Sequence, residues 1–436
     1  MAYKIKKESS VKGLSFTYIE DPKYRGELIS VRLLLPLEEN TPQIYQMLGT
    51  LMVDSTSVYP TKAKMSEKLK SLYGAVQNYN FVRVGDNIVL GFSLYCMSDR
   101  FAINGETVTT EAAKLMNELL FSPNVKKGAF DQKYFEMARR EIIEAIKSVS
   151  NNRHNYAVRR AREVAFEGEP ASLPPFGTIE AAEKLTAEQL YREYKKMLSI
   201  AGISVTFCGS GNNTEAQKIV KERITEFAEK RLAEHSDEII VKDSVISPSP
   251  LRAEVKEVRE KIEQEQLKLV MGFKTEGGDF YAEKLACMLF GGTDFSKLFT
   301  NVREKLSLCY YCQSFIMDFK QTMFVDSGVD AANEQLARQE ILHQLDLLKK
   351  GDFTDEELEN CKKSLRSSLR IVTDVSEDFN SWNYLRRLRG IDITPEQEIA
   401  LVNEVTRERV IKAANGFIPD CVYVLEPETV NGGEQE

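Results

Sequence analysis

The sequence predicts an α+β protein built from two similar halves, each a sheet with helices packed on it. Three observations carry this. Strand-like and helix-like segments follow one another without strict βαβ alternation, which favours separate α and β layers over a parallel α/β sheet. The order of elements in the first half restarts after a Pro/Ser-rich segment. Short words recur between the halves at a constant offset, as a duplicated unit requires. Leu33 aligns with Val270, and Lys68-Leu69-Lys70-Ser71-Leu72-Tyr73 aligns with Lys305-Leu306-Ser307-Leu308-Cys309-Tyr310.

In order, Ile29 to Leu35 reads as a strand closed by Pro36. Thr41-Pro42 starts a helix through Ile44, Leu48, Leu51 and Met52, because a proline just inside a helix loses only an N–H that has no partner there. Lys62 to Leu72 is a second helix. Tyr73-Gly74-Ala75-Val76 opens a strand, and Asn87 to Tyr95 is its hairpin partner. Ala112 to Phe121 is helical. Asp131 to Phe166 is a long helical region with a break near Ser150-Asn151-Asn152. Thr186 caps a further helix, with Gln189 at the reciprocal capping position. Gly202 to Gly209 is a strand and Thr214 to Ala233 a long helix.

Ser247-Pro248-Ser249-Pro250 is the best linker in the chain. The expected organisation is a first domain at 1–240, a linker at 241–256 and a second domain at 257–430. Leu267 to Gly272 then repeats the first strand. Phe353-Thr354 with Glu359 repeats Phe130-Asp131 with Glu136, so the first half carries a short insertion between these landmarks.

The most informative stretch is Phe290-Gly291-Gly292-Thr293-Asp294-Phe295-Ser296-Lys297-Leu298-Phe299, continuing to Tyr311. An apolar helix, Tyr281 to Phe290, stops at two glycines, read as the positive-φ stop that glycine tolerates. A second helix runs from Asp294 to Lys305, and Leu308 to Phe315 is a strand rich in aromatic residues. Arg303 at the helix end and Tyr310 in the strand can reach one spot. Arg offers a fixed fork of donors and Tyr a hydroxyl, both suited to a peptide carbonyl or carboxylate. Equally, Arg303 can simply complement the helix macrodipole and Tyr310 can be a half-buried strand residue.

Composition limits the function. The 436 residues carry a net charge of −8 with no basic block, which argues against nucleic acid as the main partner. The N-terminus has no apolar signal segment, and no apolar run is long enough for a membrane span. Seven scattered cysteines suit a reducing cytoplasm. Cys309 and Cys312 make one C-x-x-C, weak evidence for zinc without a second pair, and in a regular strand the two would point to opposite faces.

This layout resembles the pitrilysin/insulinase family of metallopeptidases, the inverzincins. The matching words are Gly291-Gly292-Thr293-x-x-Ser296-Lys297-Leu298-Phe299 with Arg303-Glu304-Lys305, and Gly177-Thr178-x-Glu180 followed by Leu185-Thr186-x-Glu188-x-Leu190. The tract Asp54 to Pro60 also stands where the family has a Gly-Thr word. The resemblance implies two homologous domains with antiparallel-rich sheets, which close around an unfolded peptide bound along a sheet edge. It also implies that the family's H-x-x-E-H word falls at Gln46-Met47-Leu48-Gly49-Thr50. Gln46 and Thr50 then replace the two zinc-binding histidines and Gly49 the catalytic base. The distal ligand falls at Ala145, with Glu144 beside it.

The chain has three histidines, His154, His235 and His343, none near another in sequence. Neutral amides and hydroxyls are poor zinc ligands and glycine cannot act as a base, so no catalytic zinc, no other cofactor and no independent peptide hydrolysis are expected. Glu141 and Glu144 share a helix and read as a solvated face.

What the resemblance retains is Arg303 and Tyr310, which in the family reach the substrate. It implies a non-catalytic subunit that binds peptide beside a zinc-bearing paralogous subunit in a heterodimer. Within the bacterial family the pattern and length resemble metal-less subunits associated with 5-aminopentanol modification of elongation factor P. The alternative is a purely structural scaffold subunit without peptide binding. A stand-alone enzyme would have only Cys309, Cys312, Glu141 and Glu144 to work with, and a thiol without a histidine nearby in sequence is a weak nucleophile candidate.

Overall fold

The computed structural model describes residues 3–211, 213–275 and 277–428. The outer ends of the two expected domains, at 1–2 and 429–430, lie outside the described residues.

Among the described residues, one compact unit contains 3–147, 173–244 and 374–390, and the other contains 148–172, 245–373 and 391–428. The units therefore interleave along the chain. Residues 148–172 precede the linker yet belong to the second unit, and 374–390 follow it yet belong to the first.

The first unit is built on a sheet of β1 (Lys4–Val11), β2 (Leu14–Glu20), β3 (Gly26–Pro36), β4 (Val76–Val84) and β5 (Asn87–Met97), with a sixth strand, Gly202–Gly209. A two-residue hairpin, β6 (Val125–Lys126) with β7 (Ala129–Phe130), stands apart, so the sixth strand is β8. The order is β1-β2-β8-β3-β5-β4, antiparallel except for the parallel pair β2/β8.

The second unit's sheet uses β9 (Lys256–Ile262), β10 (Leu267–Lys274), β11 (Cys309–Met317), β12 (Thr322–Val329) and β13 (Ile418–Pro427) in the order β11-β12-β10-β13-β9. Here too every pair is antiparallel except the last, β13/β9. The two sheets thus share one topology, with β1 added to the first, which is the structural form of the duplication read in the sequence.

In the first unit, α1 (Thr41–Asp54), α2 (Lys62–Ser71), α3 (Val108–Phe121) and α4 (Gln132–Ser148) come from the first part of the chain. The predicted break in the long helical region is a 3-10 turn at Val149–Asn151, followed by α5 (Arg153–Ala165). Then come α6 (Ile179–Lys184), α7 (Ala187–Ile200) and α8 (Thr214–His235). Ile29, Val31, Leu33 and Leu35 of β3 face the helix-side core with Leu48, Met52, Leu115, Met116 and Met197. Alternate residues on a strand face opposite ways, so Ser30, Arg32 and Leu34 face the other side, and they are buried as well.

That other side carries a helix from the far end of the chain. After α9 (Phe280–Gly291), α10 (Glu334–Lys349) and α11 (Asp355–Ile371) comes α12 (Ser376–Leu388), which contacts β8. Arg32 fixes it. Its guanidinium donates to Asn380 O at 2.9 Å, Asn380 Oδ1 at 3.2 Å, Ser381 Oγ at 2.8 Å and Glu377 Oε1 at 3.3 Å, and lies 4.9 Å from the Tyr384 ring centroid.

The second unit mirrors this arrangement with α5. Its small buried face, Ala157, Ala161, Val164 and Ala165, lets it approach Val270, Phe324 and Tyr423 of the sheet closely. Arg160 Nε donates to Glu260 at 3.0 Å, Tyr423 Oη donates to the same carboxylate at 2.8 Å, and buried Lys274 donates to Ala165 O at 2.9 Å at the helix end. The remaining helices, α13 (Pro395–Asn403) and α14 (Arg407–Asn415), complete this unit with α9, α10 and α11.

Two expectations change at the Gly291-Gly292 word. The helix runs through Gly291, and Gly292 has φ −92, so neither glycine supplies a positive-φ stop. A Cβ on Gly291 would lie 2.7 Å from Leu298 Cδ1 and 2.7 Å from Ser314 N. Close packing of α9 against β11 excludes a side chain there. The helix expected from Asp294 is a π-helix at Leu298–Lys305, since Thr293 to Ser296 form bends and a turn.

Candidate functional site

Arg303 and Tyr310 line one depression of about 380 Å³ in the second unit, with Ser307, Leu308, Cys309 and Asp330. Arg303 ends the π-helix, its guanidinium 4.6 Å from the Phe299 ring centroid. The chain then turns through Ser307, which takes a left-handed φ of 50, and Leu308 N donates to Val302 O at 3.0 Å. This tight reversal brings the first residues of β11 beside the helix end. Tyr310 is 54% exposed, and its hydroxyl donates to Asp330 Oδ1 at 3.1 Å. That hydrogen bond to a carboxylate raises the phenol above its ordinary pKa. The depression therefore presents a cation, a phenol and a carboxylate beside β11, which is an edge strand of its sheet.

Cys309 and Cys312 lie on the same face of β11, contrary to the regular-strand expectation. Cys309 pairs with Val329, Tyr311 with Gly328 and Cys312 with Ser327. Two residues on β11 thus advance the register by one on β12. This bulge at Tyr310 resets the alternation, as bulges do, and nothing in the sequence marks it. The neighbouring Cys312 thiol, helped by Ser327 and the Arg303 charge, holds the Cys309 thiol below its ordinary pKa. Its partner Cys312 is pushed well up.

In the first unit, the positions where the resemblance places the zinc word make other contacts. Gln46 is 8% exposed, and its Nε2 donates to Pro175 O at 2.9 Å. Tyr79 of β4 lies directly against α1 at Gly49. A Cβ there would be 2.3 Å from Tyr79 Cδ2, 2.6 Å from Cε2 and 2.9 Å from Cγ. The Tyr79 hydroxyl is 3.0 Å from Thr50 Oγ1. Ala145, on α4, has no ligating side chain; Glu141 is exposed and Glu144 pairs with Lys147 at 3.1 Å.

A Zn²⁺ ion needs three or four N, S or carboxylate donors. An amide committed to a carbonyl, a glycine under an aromatic ring and a hydroxyl bonded to tyrosine do not supply them. Among the described residues, no group of three or more His, Cys, Asp or Glu is arranged to hold a metal ion. The residues present do not fit the zinc that the fold's catalytic relatives carry.

The histidines are dispersed. His235 approaches Glu238 at 3.7 Å, and His343 lies on α10. His154 Nδ1 lies 3.0 Å from Asp326 Oδ2, a carboxylate with no exposure, which also accepts from Tyr311 Oη at 3.2 Å. Burial raises the Asp326 carboxyl above the usual range. This cluster was not legible, because its members lie far apart in sequence and meet only through α5. No described helix is long and apolar enough to cross a membrane.

Residues 184–365 match the Peptidase M16 inactive domain. Over 98% of its length the chain is 26% identical to the "Probable inactive metalloprotease YmfF" of Bacillus subtilis, covering 99% of that protein. It is 23% identical to an "Uncharacterized zinc protease" of Rickettsia bellii, over 71% of this chain and 74% of the other. Among solved structures, a conserved protein from Enterococcus faecalis superposes with a TM-score of 0.88 at 26% identity, covering 98% of this chain and 99% of that one. A peptidase M16 inactive domain from Pseudomonas fluorescens superposes with a TM-score of 0.76 at 15% identity, covering 98% of both chains, a likeness of fold.

Proposed function

From the premise that this chain is an inactive homologue of the M16 peptidases with their pitrilysin-like fold, we propose that it is the peptide-binding, non-catalytic subunit of a two-chain zinc peptidase. The zinc belongs to a paralogous partner subunit that keeps the H-x-x-E-H word. The observation that carries this reading is asymmetric. The positions expected for the zinc word hold a Gln46–Pro175 hydrogen bond and the Tyr79 ring, whereas Arg303 and Tyr310 share an open depression.

In this reading a substrate strand adds to a free sheet edge. The Arg303 fork holds a peptide carbonyl or carboxylate. The Tyr310 hydroxyl exchanges Asp330 for the substrate oxygen on which negative charge develops. Donors aimed at such an oxyanion are among the larger contributors to catalysis. A narrower reading, a role in the modification of elongation factor P, is supported by sequence pattern and length.

The test is to assay peptide hydrolysis by this chain, by its zinc-bearing paralogue and by the mixture. Activity of the mixture should exceed that of the paralogue and fall with Arg303→Ala. Paralogue activity indifferent both to this chain and to Arg303→Ala refutes the reading. Absence of peptide binding, with Tyr310→Phe silent, points to a scaffold instead.

A further inference from the structure

We propose that Cys309 and Cys312 form a reversible thiol–disulfide site in the Arg303/Tyr310 depression, with Cys309 as the attacking thiol, Cys312 as the resolving thiol and a low-molecular-mass disulfide as co-reactant. Three observations converge. The bulge at Tyr310 turns both cysteines to one face, where a regular strand would separate them. Cys309 lines the depression, so a small reagent has a route to it. Cys312, 4% exposed, lies on the same face, its β12 partner Ser327 two positions from Val329, the partner of Cys309.

All seven cysteines are buried, Cys309 the least so at 9% exposure, and Cys309 is the one that lines the depression. Burial pushes Cys96, Cys287, Cys361 and Cys421 up to about 12, and Cys208 upward as well. Of the seven, Cys309 alone is held below its ordinary value. A thiol that lines an open depression beside an arginine and is held below its ordinary pKa is the reactive kind.

The chemistry balances without a metal. The Cys309 thiolate attacks one sulfur of the small disulfide and expels its other half as a thiolate, leaving a mixed disulfide. Cys312 gives up its proton and attacks the Cys309 sulfur, expelling the second thiolate. The two cysteines lose two electrons and two protons, and the small disulfide becomes two thiols. Among the described residues β11 has no strand on its outer side, so it can shift to close the bond. Because Tyr310 lies between the joined residues, the link tightens the bulge and draws its hydroxyl from Asp330. The consequence for peptide binding rests on the function proposed above; the thiol chemistry does not.

The test uses the full-length reduced chain with oxidised glutathione as probe. Free thiols are alkylated at intervals, and the products are read by intact mass and peptide mapping. Cys309 should react at least about tenfold faster than the five remote cysteines. The end product should be lighter by two hydrogens and linked 309–312. Cys312→Ser should stop at one glutathione on Cys309, and Cys309→Ser should leave Cys312 unmodified. Equal labelling of all cysteines, or a Cys309 adduct that persists beside an intact Cys312 with no link, overturns the site. Should either variant fail to fold, the time course in the unmodified chain decides alone.

Binding of a fluorescent unfolded peptide to the reduced and linked forms tests the consequence. A severalfold difference supports it, and equal affinity of the two forms overturns it. Absence of binding by both forms removes the peptide-binding reading and leaves the mass result standing.

Discussion

Replacing Gly49 by alanine isolates the contact between α1 and the Tyr79 ring. In an exposed helix the change would stabilise by about 0.5–1 kcal/mol, because glycine loses more backbone freedom on folding. Here the new methyl lands 2.3 Å from Tyr79 Cδ2 and 2.9 Å from Cγ. The Cγ distance matters most, since turning the ring about its own axis leaves that atom in place. The side chain must leave its rotamer or β4 must move off α1, an overpacking cost of about 1–3 kcal/mol. Displacing the ring also loses the Thr50–Tyr79 hydrogen bond of 3.0 Å, worth about 0.5–1.5 kcal/mol.

The net expectation is destabilisation by about 0.5–4 kcal/mol. With Tyr79→Ala already in place the sign should reverse, to a gain of about 0.5–1 kcal/mol. Amide hydrogen exchange across α1 and β4 is the suitable assay, because a chain with two compact units need not unfold in one step. The four variants form a double-mutant cycle. If Gly49→Ala leaves protection unchanged in the natural background, or acts alike in both backgrounds, the ring is not what fixes this position. The same geometry implies that placing His at 46 and 50 and Glu at 49 should not create zinc binding while Tyr79 remains, as metal analysis would show.

Two other outcomes follow from the description of the first unit. Arg32→Lys should release α12, since one ammonium cannot serve Asn380, Glu377 and Ser381 together. A loss of about 1.5–3 kcal/mol, read as faster exchange in residues 376–388, is expected, and unchanged exchange there would count against it. Hydrogen bonds from Lys221 and then Lys6 lower the Glu8 carboxyl from 4.5 to about 2. A folded pKa below the unfolded one gives stability that is present above the unfolded value and lost as pH falls through the folded one. The contact between β1 and α8 should therefore loosen between pH 4.5 and about 2, measured by exchange in Lys4–Val11. Loosening that begins at neutral pH would contradict the assignment.

Much of the architecture was legible because local signals agreed with the tertiary structure. The Thr186/Gln189 capping box is present at the start of α7, and the expected break falls at the Val149–Asn151 turn. β3 and β10 occupy equivalent central places. β1 and β9 were not legible, because Lys4–Val11 and Lys256–Ile262 are charged edge strands in which the alternation is diluted. β2 carries a readable run in Phe16, Thr17, Tyr18 and Ile19. Gly49 was the one sequence hint of the Tyr79 contact, since a glycine inside a helical pattern often marks a close approach. The bulge at Tyr310 and the α5 and α12 exchange depend on partners far away in the chain, where no local pattern points.

That exchange bears on how the protein can be taken apart. A gene severed at the linker would yield two orphans. A 1–240 fragment would lack Phe379, Trp382, Tyr384 and Leu388, all buried in the intact chain, and would bare the flank of its sheet that carries Arg32. A 257–430 fragment would likewise be stripped of Ala157, Ala161 and Val164 above Val270 and Tyr423. Each should clump when produced singly and regain solubility when the two are synthesised together, so a recombinant module must carry its borrowed helix, spliced on or supplied in trans.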